Sequence, residues 1–111
     1  MKTGCNVMTL TIEHWNVEHD GEISEMAMRQ KLENRGYTVT RYVYPPGTYF
    51  PDHTHGVDKI DGVLSGQFLL RMEGKTVILQ AGDTLEVPHG TAHSAEVVGH
   101  EPVVSLDAVR A

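Results

Sequence analysis

Hydrophobic and polar positions alternate in short stretches along most of this chain, with turn residues between them. From residue 37 onward, stretches of about four to eight β-branched, aromatic and aliphatic residues are separated by Gly, Pro, Ser and Asp. The predicted strands are Tyr37–Tyr44, Val57–Leu64, Gln67–Met72, Lys75–Leu79, Thr84–Val87, Ala92–Val98 and Pro102–Val109. Many short strands at this spacing are typical of a sandwich or barrel, so we expect an all-β fold.

The first 36 residues have a different pattern. An alternating stretch, Thr9–Trp15, predicts a strand that pairs at the edge of a sheet, and one short helix follows it. Ser24 is a suitable N-cap, Met28 and Leu32 form an apolar i, i+4 pair, and Gly36 can end the helix. We interpret residues 1–36 as a strand and helix packed on a barrel of residues 37–111, with one domain overall.

Composition narrows the classes of function. The chain has 111 residues and a formal net charge of −6. Because it has no cluster of Lys and Arg, we do not expect a nucleic-acid surface. No apolar run reaches the roughly 18 residues that a membrane span needs. Cys5 is the only cysteine, and the first residues lack the apolar stretch of a secretion signal, so we expect a cytoplasmic protein without disulfides.

Three of the seven histidines have the spacing of metal ligands. His53 and His55 are two residues apart, so in a β-strand both imidazoles project from one face. His93 follows 38 residues after His55 and can complete the set from another strand. Neutral imidazoles bind divalent transition metals, here Fe, Zn, Ni, Cu or Mn. The alternative is a set of hydrogen-bonded histidines that hold no metal.

Two glycine-containing motifs surround these histidines. The first is Gly47-x5-His53-x-His55-x3-Lys59-x6-Gly66. The second is Gly82-x5-Pro88-x-Gly90-x2-His93-x3-Val97. Together they resemble the two motifs of the cupin superfamily, and 15 residues separate Gly66 from Gly82, as in small single-domain cupins of the conserved-barrel type.

The resemblance implies a fold, a metal site and an assembly. The fold would be a double-stranded β-helix, or jelly-roll barrel, with the site in its mouth. The family places its metal ligands at the positions of His53, His55 and His93. Small cupins of this kind usually form homodimers, and the N-terminal strand with Trp15 is a candidate for the interface; the alternative is that Trp15 covers the core of its own barrel.

Lys59 departs from the family pattern, which has an acidic metal ligand at this position. A protonated lysine cannot ligate a metal. An ammonium about 4 Å from a divalent cation would be repelled by roughly 8 kcal/mol at an effective dielectric constant of 20. Lys59 could be neutral, held away by a carboxylate, turned outward, or present without metal. We expect the second arrangement, with Asp61 as the carboxylate, because Asp61 lies two residues on and on the same face.

These residues favour a metal-dependent enzyme that acts on a small molecule. The reaction would be either oxygenase-like or isomerase- or lyase-like, with Lys59 and Asp61 as catalytic residues beside a three-histidine metal. The alternative is a binding or sensor protein that holds a small ligand unchanged. The alternation does not decide whether Tyr49, Gln67 and Met72 line the pocket.

Overall fold

The computed structural model describes residues 10–111. Its helices are α1 (Val17–Asp20) and α2 (Glu25–Asn34). Its strands are β1 (Ile12–Glu13), β2 (Thr38–Tyr44), β3 (Tyr49–His53), β4 (Asp58–Ser65), β5 (Gln67–Met72), β6 (Lys75–Leu79), β7 (Thr84–Val87), β8 (His93–Val98) and β9 (Val103–Arg110).

The strands form two antiparallel sheets. One sheet has the order β1-β7-β4-β9-β2, and the other has the order β3-β8-β5-β6. A core of aliphatic and aromatic side chains fills the space between them, including Val63, Phe68, Leu70, Leu79, Leu85 and Val103. This two-sheet, largely β architecture confirms the predicted small all-β barrel.

Helix α2 covers the outer face of the five-stranded sheet. The cluster between them contains Met28, Leu32, Tyr37, Val39, Ile60, Leu106 and Ala108. Strands β4 and β9 are therefore buried on both faces, with the core on one side and the helix on the other. On β4, Ile60 packs in the helix cluster, while Lys59 and Asp61 line a cavity on the inner side.

The N-terminal segment differs from its prediction in two details. Thr9 lies outside the described residues, and the strand predicted for Thr9–Trp15 is reduced to Ile12–Glu13, which pairs with β7. We predicted one helix, but the structure also has α1. The side chain of Asn16 accepts hydrogen bonds from the amides of Glu18 and His19 and begins this single turn. One turn is too short to produce an apolar periodicity.

Helix α2 begins and ends as predicted. The Ser24 hydroxyl oxygen accepts a hydrogen bond from the Ala27 amide at 3.0 Å, and Met28 and Leu32 are buried. Gly36, just beyond the helix, has a φ of +91°, a value that glycine adopts without strain. In the described part of the chain, neither helix is long and apolar enough to cross a membrane.

Candidate metal centre

A cavity of about 150 Å³ opens between the two sheets at one end of the barrel. Histidines, other polar side chains and apolar side chains line it. The histidines are His53, His55 and His93, the other polar residues are Tyr44, Lys59, Asp61 and Asp107, and the apolar residues are Phe50, Phe68 and Ala95. An engineered apolar protein cavity of similar volume, about 150 Å³, holds benzene, so the space suits a molecule of about six non-hydrogen atoms.

Three backbone segments bring the histidines together. His53 is the last residue of β3, and its Cα partner on β8 is His93. His55 lies beyond the end of β3, in a segment without regular secondary structure, so the strand that we expected to carry both His53 and His55 carries only His53. One nitrogen from each ring lies within 4.8 Å of the other two. The sequence-predicted triad is therefore assembled in the fold.

Hydrogen bonds orient two of these rings. His53 Nδ1 lies 2.7 Å from the carbonyl oxygen of Pro51, and His93 Nδ1 lies 2.9 Å from that of Thr91. A carbonyl oxygen only accepts, so each Nδ1 carries the proton and donates it. This leaves Nε2 of each ring as the nitrogen that can ligate a metal.

His55 supplies a test of whether the site fits a metal. Its Nε2 is buried and has no hydrogen-bond partner among the described residues. An unpaired buried polar atom costs about 1–3 kcal/mol, which a metal–nitrogen bond would remove. Burial, and after it the positive charge of Lys59, lowers the pKa of His55 below the usual 6.5, so the ring is neutral at pH 7. Three imidazoles converging on one point fit a single divalent transition metal.

Lys59 points into the cavity and is held by carboxylates. Its Nζ lies 3.4 Å from Asp61 Oδ1 and 3.5 Å from Asp107 Oδ2, and 11% of its side chain is exposed. The predicted Lys59–Asp61 pair is therefore present, with Asp107 as a second partner. Burial opposes the charge of Lys59, but the two carboxylates outweigh burial and raise its pKa above the usual 10.5. Lys59 is thus an ammonium, not a neutral amine.

Asp61 is the most deeply buried of these carboxylates, with 4% of the residue exposed. Burial raises its pKa above the usual 3.8, against the opposing effect of Lys59. A carboxyl group in this position can hold or release a proton at a higher pH than an exposed one.

Asp107 and Tyr44 belong to the site but were not predicted from the sequence. Asp107 is the Cα partner of Asp61 across β4 and β9. It accepts hydrogen bonds from the Ser105 hydroxyl at 2.8 Å and from the Tyr44 hydroxyl at 3.3 Å. The available signal was a charged residue inside the otherwise uncharged stretch Val103–Val109, which is unusual for a strand buried on both faces.

Other residues considered for the site lie elsewhere. Tyr49 is 56% exposed on the outside of β3, and neither Gln67 nor Met72 lines the described cavity. Asp58 faces outward and accepts a hydrogen bond from the backbone amide of His89 at 3.1 Å. Val97, the last residue of the second motif, is 2% exposed and packs in the core.

Comparisons with known proteins agree with this architecture. The family model of the cupin domain matches residues 40–109. The oxalate-binding protein of Thermotoga maritima is 29% identical over 80 residues, which are 71% of this chain and 66% of that protein. The DMSP lyase DddQ from Ruegeria pomeroyi DSS-3 is 30% identical, with a TM-score of 0.58 over 67% of this chain and 39% of that chain.

A more distant structure supports the fold alone. The cupin domain of Schizosaccharomyces pombe Cnp3 is 17% identical and has a TM-score of 0.62 over 67% of this chain and 55% of that one. The chain thus spans just under two thirds of the oxalate-binding protein and well under half of the lyase. Because the family model matches 70 of the 111 residues, the chain belongs to the cupin-domain family.

Proposed function

We propose that this cupin is a metal-dependent enzyme that transfers a proton to or from a small molecule, as an isomerase or a lyase does. The observation that carries the proposal is the position of a buried Lys59–Asp61 pair in the same small cavity as three converging histidines. Such a cavity combines a metal site with groups that hold charge and protons.

His53, His55 and His93 would hold the metal, which is Fe, Zn, Ni, Cu or Mn. A divalent metal bound there supplies Lewis acidity to an oxygen of the substrate. Three protein ligands leave coordination positions for that oxygen, as catalytic sites require.

Lys59 and Asp61 take different roles in this proposal. Because its carboxylate neighbours keep Lys59 charged, the ammonium attracts and orients an anionic group of the substrate and does not act as a base. Asp61, whose pKa is raised by burial, takes up or returns the proton. The apolar wall of Phe50, Phe68 and Ala95 excludes water from the remaining side of the cavity.

A binding protein is the second candidate, and the oxalate-binding relative favours it. A cavity with room for about six non-hydrogen atoms also suits capture of a small carboxylate without reaction. Oxygenase chemistry at a three-histidine iron is a further form of the enzyme hypothesis, although Asp61 would then have no role in proton transfer.

Deuterium exchange separates the enzyme from the binder. The metal-loaded protein would be incubated in D₂O with a panel of small 2-oxo, 2-hydroxy and 3-hydroxy carboxylates and followed by ¹H NMR. An enzyme that moves a proton incorporates deuterium next to the carboxylate or carbonyl, or forms product, and Asp61→Asn abolishes this. Line broadening without exchange or product for every compound supports the binder. Oxygen uptake by the iron-loaded protein alone supports the oxygenase.

The partners we propose are a small-molecule substrate and a second copy of the chain, with no nucleic acid and no membrane. A homodimer is supported by the open edges of the five-stranded sheet, where β1 and β2 each lack an outer neighbour in the described residues. Trp15 packs against the helix cluster of its own chain and donates a hydrogen bond to the Gly21 carbonyl oxygen, which favours its role as a core cover over that of an interface anchor. A cytoplasmic location stays a prediction.

A further inference from the structure

The polar wall of the cavity is a built arrangement of one cation between two anions. Asp61 and Asp107 project from directly opposed positions on β4 and β9, and both carboxylates contact Lys59 Nζ. Ser105 and Tyr44 fix Asp107 by hydrogen bonds to its two oxygens. The side chains of Lys59, Asp61 and Asp107 are 11%, 6% and 17% exposed. We refer to Asp61 and Asp107 together as the carboxylate cradle.

The net charge of the cavity becomes positive when a divalent metal binds to the histidines. Lys59 contributes +1 and the carboxylate cradle −2, so the polar wall has a net charge of −1 beside the three imidazoles. A divalent metal on the histidines changes the sum to +1. If the cradle holds one proton, the two sums become 0 and +2. In both cases the cavity without metal has no net positive charge, whereas the cavity with metal does.

We infer that the carboxylate cradle makes binding ordered: it neutralises Lys59 so that the metal can bind, and the cavity then accepts a small carboxylate. This inference rests on the metal site of the proposed function. The Lys59 ammonium has three N–H donors, and two carboxylate neighbours leave one for an oxygen of the ligand. Phe50 and Phe68 on the facing wall select a ligand with a short apolar end. The ligand class is therefore a small aliphatic carboxylate.

Asp107 is a positioning residue, because it contacts Lys59 and is not one of the three metal ligands. Asp107→Asn removes one negative charge, so Zn²⁺ should bind about tenfold more weakly, a size typical of changes next to metal ligands. The Zn²⁺-saturated Asp107→Asn protein should bind propanoate at least about threefold more tightly, because the cavity is more positive.

Lys59→Met removes a positive charge from the cavity, so it should shift the two affinities in the directions opposite to those of Asp107→Asn. The cavity then lacks a positive charge that repels the metal, so Zn²⁺ should bind about tenfold more tightly. Propanoate should bind at least about tenfold more weakly, because its ammonium partner is gone. A merely structural role for these residues would weaken both affinities in both variants.

The experiment measures two affinities by isothermal titration calorimetry. Zn²⁺ is titrated into metal-free wild type, Asp107→Asn and Lys59→Met, and propanoate is then titrated into each protein with and without saturating Zn²⁺. Propanamide, which has the same shape and no charge, is the control ligand. Glu33→Gln and Lys75→Met, at exposed positions on α2 and β6, control for the change in net charge. Circular dichroism checks that each variant is folded.

We expect propanoate to bind only with Zn²⁺ present, and the two variants to shift the two affinities in opposite directions. Equal propanoate binding with and without Zn²⁺, or a loss of both affinities in folded variants, would overturn the inference and leave the proposed metal site intact. Absence of Zn²⁺ binding to wild type would overturn both. If Asp107→Asn does not fold, Lys59→Met alone decides the result.

Discussion

Of the side chains that line the described cavity, Lys59 is the one with a fixed positive charge, and its surroundings explain how the fold accommodates it. A buried ammonium without a partner would lose several kcal/mol of hydration. Two carboxylates on neighbouring strands offset that loss and keep the charge near the histidines. The hydroxyl of Tyr44, which lies in the same cavity, is a poor acid. Burial, and after it the charges of Asp107 and Asp61, raise the pKa of Tyr44.

An alkaline titration followed by ultraviolet absorbance tests this electrostatic picture. An unperturbed tyrosine ionises near pH 10. We expect Tyr44 to ionise at higher pH, so Tyr44→Phe should remove the last-titrating component of the wild-type curve. Tyr49→Phe, on the exposed side of β3, should leave that component in place. Loss of a component near pH 10 from Tyr44→Phe would contradict the buried, negatively charged surroundings assigned to Tyr44.

At the scale of elements, the glycines of the two motifs fix the turns that close the barrel. Gly66 lies between β4 and β5 with a φ of +86°. A Cβ atom at Gly66 would lie 2.3 Å from the carbonyl oxygen of Pro102, so the backbone of the segment before β9 packs directly on this turn. Gly74, in the turn between β5 and β6, has a similar φ of +75° but open space where a Cβ would go.

Alanine should lower the free energy of unfolding more at Gly66 than at Gly74. Gly74→Ala introduces only backbone strain and should lower the free energy of unfolding by about 1–2 kcal/mol. Gly66→Ala adds a steric clash with backbone and should lower it by about 2–5 kcal/mol. Urea unfolding of both variants measures the difference. Equal destabilisation would mean that the close approach of Pro102 is relieved at little cost.

Local patterns explain why most elements were predictable and why part of the site was not. The strands Gln67–Met72, Lys75–Leu79 and Thr84–Val87 have the predicted bounds because turn residues delimit them on both sides. His53, His55 and His93 could be identified because motif spacing carries the information. Asp107 could not, because its pairing with Asp61 depends on the register of two strands that lie far apart in the sequence. Burial of both faces of β9 also hides the alternation that would show which way Asp107 points.

At the scale of the whole molecule, the free edges of the five-stranded sheet bear on whether the chain forms a dimer. Both outer strands of the five-stranded sheet have free edges in the described residues, and β2 exposes Tyr42 and Val43 beside one of them. Exposed apolar edge strands tend to pair with another chain. We therefore predict a homodimer, with a mass twice the 12.3 kDa of the chain, by light scattering after size-exclusion chromatography at micromolar concentration. A mass of 12.3 kDa under these conditions would contradict the prediction.

The central claim is that the three histidines hold one metal ion. The most direct measurement is the metal content of the untagged protein by inductively coupled plasma mass spectrometry, for wild type, His55→Ala and His89→Ala. His89 is a suitable control because it is exposed and its Nδ1 pairs with Asp58 outside the triad. We predict about one metal per chain in wild type and His89→Ala, and almost none in His55→Ala. Retention of metal by His55→Ala, or no metal in wild type after reconstitution with Fe, Zn, Ni, Cu and Mn, would contradict the account.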